Sequence, residues 1–153
     1  MQHELIRLCL FSFFSLPVVI YDIKTMKIPV LFSYAGLVFL CAYLFFTDES
    51  IFKILFSIIF PLVVFMIVKI ICPGGIGNGD IHYSFFCGIF GGIVGINIGL
   101  FLAAFFAAIY MMTTKSKKIP FCPFMFFGLI LSRILVLFDV FKLFSCYSIS
   151  DVL

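Results

Sequence analysis

Two aspartates stand out in this chain because their surroundings are so apolar. Asp22 follows the run Leu8 to Tyr21. Asp80 closes the turn Gly77-Asn78-Gly79-Asp80, ahead of a run ending at Thr114 in which only His82 could carry a charge near neutral pH. Ionisable groups at helix ends in a bilayer are costly and face a bundle interior or a water-filled cavity. Two carboxyls brought together cannot easily both ionise, so one of them keeps a proton. Such a pair suits peptide hydrolysis: the ionised partner draws a proton from water, and the protonated one polarises the scissile carbonyl. Each acid alone has a plainer reading, Asp22 as an interfacial helix end meeting solvent or Lys24, and Asp80 as a helix N-cap. Glycines on either side of Asn78 allow an extended chain to approach closely. A phosphate-cradling loop is rejected, because no Gly-Lys-Ser/Thr ending and no strand accompany the turn.

The elements that must position these acids are membrane helices. Hydrophobic residues make up 65% of the 153 and charged ones only 11%, whereas soluble domains are near 45–50% apolar. Mean hydropathy is +1.33. Disorder, collagen-like repeats and secreted disulfide scaffolds are thereby excluded. The expected fold is an all-α integral membrane protein with about six transmembrane helices. The spans run from Leu8 to Tyr21, Pro29 to Phe46, Ile51 to Ile71, Ile81 to Gly92, Gly95 to Met112 and Pro120 to Phe138. They leave no room for a soluble domain, so residues 1–153 read as one membrane domain. The uncharged stretch from Ile81 to Thr114 would be about 50 Å long as a single helix, too long for one crossing of a core about 30 Å thick. Gly91, Gly92 and Gly95 mark its reversal. The half before them is short, so the loop ahead of it is expected to dip below the membrane surface, where protein or a water-filled cavity must satisfy its backbone.

Charge placement gives the orientation. With the N-terminus outside, Lys24, Lys27, Lys69, Lys115, Lys117 and Lys118 fall on the inner face, and Arg7, Lys53, Arg133 and Lys142 on the outer, which agrees with the positive-inside rule. Glu4, Asp48, Glu49, Asp139 and Asp151 then lie outside, leaving Asp22 and Asp80 as the two inner carboxylates. Arg133 is expected to snorkel to the outer surface, and Tyr21, Tyr34, Tyr83 and Tyr110 to anchor the interfaces. The 24 phenylalanines are lipid-facing bulk or interhelical packing. The six cysteines lie singly and read as small apolar fillers. A net charge of +3 with scattered basic residues does not argue for nucleic acid.

Three ordered motifs resemble the type IV prepilin and preflagellin leader peptidases, the membrane aspartyl proteases with a G-x-G-D signature. Asp22-Ile23 followed by Ile28-Pro29 looks like the family's first aspartate with its downstream I-P. Gly77-Asn78-Gly79-Asp80 matches the second motif. Ile119-Pro120-Phe121 with Pro123-Phe124 looks like the I-P-F-G-P-F stretch before the last helix. The likeness extends over nearly the whole chain. It implies a bundle like that of the G-x-G-D aspartyl proteases, catalysis by Asp22 and Asp80, an active-site loop of Gly77, Asn78 and Gly79, and neither metal nor cofactor. Lys24, Pro29, His82 and Pro120 would be neighbours of the site. The implied partners are the lipid bilayer and a pilin-like precursor, cut at the cytoplasmic face of the inner membrane. Two positions depart from the family pattern: His82 stands where lysine is common, and Cys122 where glycine is usual. The N-terminal methyltransferase insertion of many bacterial relatives is lacking, so the likeness is to the short, peptidase-only form. The rival expectation is a small transporter or channel subunit whose carboxylates bind a proton or cation. Neither the precursor nor an oligomeric state is specified by the sequence.

Overall fold

The computed structural model describes residues 2–47, 50–71, 76–114 and 119–137, which are helical almost throughout. The elements are α1 (Gln2–Thr25), α2 (Val30–Phe46), α3 (Ile51–Ile71), α4 (Asn78–Thr114) and α5 (Cys122–Leu137). Three of these helices, α1, α3 and α4, are long and apolar enough to cross a membrane, and α2 and α5 are shorter apolar helices. Several residues used in the charge argument lie outside the described residues, namely Asp48, Glu49, Lys115, Lys117, Lys118, Asp139, Lys142 and Asp151. So do Cys72, Pro73, Gly74, Gly75 and Cys146.

The fourth and fifth expected segments form one 37-residue helix, α4, with a break inside it. Gly92 has φ 63° and ψ −174°, a region that essentially only glycine adopts. A Cβ on the adjacent Gly91 would sit 2.7 Å from the backbone nitrogen of Ile96. Residues five apart in a continuous helix are separated by about 7.5 Å of rise, so the chain doubles back here. Gly92→Ala is expected to lower stability by about 1–3 kcal/mol through backbone strain alone, since the added methyl would meet nothing within 4 Å. Thermal unfolding in detergent measures this.

Contacts at the two ends fix the direction of every helix. At one end, Asp22 of α1 meets Cys122 of α5, Tyr34 of α2 meets His82 of α4, Lys69 of α3 meets Asn78, and the Tyr110 and Phe124 rings lie 5.6 Å apart. At the other end, Glu4 of α1 pairs with Arg133 of α5, and His3 with Tyr43 of α2. The first arm of α4 therefore runs antiparallel to α1 and α3, and the second arm returns beside α5. Small residues allow this packing. A side chain at Gly88 would strike the Ser57 carbonyl oxygen of α3, and one at Gly128 would come 2.5 Å from the Gly99 carbonyl oxygen.

The interior is aromatic. Phe11 stacks on Phe90 with centroids 3.9 Å apart, and Phe86 and Phe126 lie 5.1 and 5.8 Å from it. Phe13 and Phe52 instead face outward, so both roles expected of the phenylalanines are present. Two expectations need correcting. Tyr83, on the first arm of α4, is fully buried, whereas Tyr21, Tyr34 and Tyr110 are exposed. Arg133 turns into the bundle: it pairs with Glu4 at 2.7 Å, which also accepts from Arg7 at 3.2 Å, and its guanidinium lies 5.7 Å from the Phe90 ring centre. An ion pair with a helix neighbour satisfies the charge better than a climb to the surface would.

Candidate functional site

The two aspartates reach the same end of the bundle by different local routes. Asp22 lies in the last turn of α1, which Met26 closes by adopting a left-handed conformation, φ 52°, while its N–H donates to the Asp22 carbonyl at 2.8 Å. A residue in that conformation is a common helix terminator. The chain then passes through Ile28 and Pro29, and α2 begins at Val30 immediately after the proline. Asp80 occupies the third position of α4. Its Oδ2 accepts the Gly77 N–H at 3.2 Å, which is the reach-back half of a capping box. The expected N-cap role is thus replaced: the carboxylate secures the turn that precedes it.

Cys122, the first residue of α5, joins the two acids. Its backbone N–H donates to Asp22 Oδ2 at 3.2 Å, across 100 positions of sequence. Its thiol lies 3.7 Å from Asp80 Oδ1, across 42 positions. The two carboxyls are thereby held on either side of one residue, Asp22 at its backbone and Asp80 at its side chain. Asp22 is 4% exposed and Asp80 half-buried, while Gly77 and Asn78 are exposed. The pair therefore sits beside an exposed loop, and Asp80 is the more accessible of the two.

The other site candidates sort unevenly. Gly79 packs on the I-P motif: a Cβ there would come 2.7 Å from the Ile28 Cβ, so the first and second motifs touch backbone to side chain. Asn78 accepts a hydrogen bond from Lys69 Nζ at the end of α3. Pro29 and Pro120 are half-buried and hold the chain on which Ile28 and Cys122 are carried. Lys24 lies away from the acids, on the outer face of α1, where it lines a shallow hollow with Leu16, Pro17, Ile20 and Tyr21. His82 is directed to α2, its Nδ1 2.8 Å from the Tyr34 hydroxyl. Two positions beyond Asp80 is about 200° around the helix, so the two side chains point in nearly opposite directions.

Two residues of the site were missed from the sequence. Lys69 was visible only as an inner-face cation, although its position a few residues before the glycine-rich turn was a usable signal. Cys122 looks in the sequence like an apolar filler and a departure from the family pattern, and nothing local announces its contacts. Among the described residues no group of three or more His, Cys, Asp or Glu side chains is gathered as a metal would require. No family model, no curated protein and no solved structure matches the chain.

Proposed function

We propose that this chain is a membrane-embedded aspartic endopeptidase that removes the short leader from type IV pilin-like precursors at the cytoplasmic face of the inner membrane. The observation that carries the reading is the convergence of Asp22 and Asp80 on Cys122. An isolated pair of carboxyls at one end of an apolar bundle can hold a single proton between them. The ionised member takes a proton from water as its oxygen attacks the scissile carbonyl carbon, while the other donates to the carbonyl oxygen. The proton then passes to the leaving nitrogen as the C–N bond breaks.

In this reading six helical segments cross the membrane, the two arms of α4 counting separately, and Lys24, Lys27 and Lys69 mark the cytoplasmic end. The first arm, from Asn78 to Gly91, is about 21 Å long, less than the hydrocarbon thickness. Asp80 is thereby drawn below the headgroups, where the junction between a leader and its hydrophobic helix can reach it without the helix leaving lipid.

Coexpression with a precursor, followed by mass measurement of the product, tests the assignment. Cleavage by the purified enzyme is expected to follow a bell-shaped pH profile, because the pair must hold one proton, and both limbs belong to the pair. Activity that stays flat from acid to alkaline pH would contradict the mechanism. Ion flux in proteoliposomes that is lost on Asp80→Asn, without any peptide cleavage, would favour the transporter reading instead.

A further inference from the structure

We propose that Cys122 is the positioning residue of the aspartate pair, its backbone N–H setting Asp22 and its thiol setting Asp80; the inference rests on the peptidase reading. The first N–H groups of a helix have no acceptor within it, and at α5 one of them is supplied with an acceptor from α1, the Asp22 carboxyl. The start of α5 therefore fixes the Asp22 carboxyl. The side chain of the same residue is fully buried and directed to Asp80. A thiol is a weak donor, but both contacts leave the same buried residue at the start of α5, so the placement of that residue bears on both acids at once. A buried cysteine serving only as packing would need neither contact.

The two contacts separate by mutation. Cys122→Ala removes the thiol and keeps the N–H. Cys122→Pro also removes the N–H, and proline is well tolerated at the first position of a helix. Cys122→Ser keeps both donors. Cys122→Ala is expected to lower kcat about 10-fold, with KM little changed and the pH profile displaced. Cys122→Pro is expected to lower kcat by about a further 10-fold, and Cys122→Ser to restore the rate and profile lost in Cys122→Ala. A readout independent of activity is the infrared S–H stretching band of Cys122 in a background with the other cysteines replaced. Asp80→Ala should move it to the frequency of an unbonded thiol.

Cleavage that depends on Asp22 and Asp80 but keeps wild-type kcat, KM and pH profile in Cys122→Ala and Cys122→Pro overturns this proposal alone. So does an S–H band indifferent to Asp80→Ala. A wild-type protein that cleaves no precursor overturns the peptidase reading and takes the proposal with it.

Discussion

Asp22→Asn and Asp80→Asn are each expected to reduce leader cleavage by about 10³-fold or more, and the double substitution to be no worse than either single one. General acid–base groups contribute about 10²–10⁴ each, and members of one catalytic unit are strongly non-additive because either loss disables the whole. Asparagine keeps an oxygen that can accept the Cys122 N–H at position 22 and the Gly77 N–H at position 80. The Cys122 N–H contact at position 22 and one of the two contacts at position 80 survive, the Cys122 thiol or the Gly77 N–H losing its acceptor there, while the ionisable group is lost; unchanged melts would separate a chemical defect from unfolding. Initial cleavage rates on a purified precursor, with thermal melts run in parallel, provide the check. Wild-type processing by either variant would remove both acids from the mechanism, and losses that multiply in the double variant would mean that they act separately.

Gly79→Val is expected to lower cleavage by about 10²-fold while the chain still inserts and folds. A Cβ at position 79 would stand 2.7 Å from Ile28 Cβ and 3.0 Å from its Cδ1. The first of these atoms cannot swing aside, because it is bonded directly to the backbone. Relief requires the turn to move, and Asp80 is the next residue. A displacement of about 1 Å at a catalytic group costs on the order of 10² in rate. The compensating change follows from the same geometry: Ile28→Ala removes the outer atoms of the side chain and leaves Cβ, so it should recover part of the loss in Gly79→Ala and less in Gly79→Val. Rates for the two single and two double variants decide this. Full activity in Gly79→Val would show that contact between the I-P motif and the glycine-rich turn does not position Asp80.

Much of the architecture was legible in the residues. Long apolar runs broken by Asp22 to Lys27 and by the glycine-rich turn give helices because a backbone in lipid must satisfy its own polar groups. Pro29 before α2 and the glycines at 91 and 92 are read from φ preferences that hold wherever they occur. The candidate acids were also legible, since a carboxylate beside so much hydrocarbon calls for a reason.

The partners of those residues were not legible. His82 looked like a neighbour of Asp80 and faces Tyr34, Tyr83 looked interfacial and is buried, Arg133 looked outward-going and pairs with Glu4, and Cys122 looked like filler and touches both acids. In a soluble protein the polar stripe of a helix tells which face is inside. In a membrane bundle lipid and interior are both apolar, so that signal is erased and the rotation of each helix is set by how its small residues fit the next one. The order of the apolar segments, the breaks between them and the choice of two candidate aspartates came from the sequence itself, whereas α1 runs longer than expected, from Gln2 to Thr25. Which side chains stand together around them was decided by packing at Gly79, Gly88 and Gly128, between residues far apart along the chain.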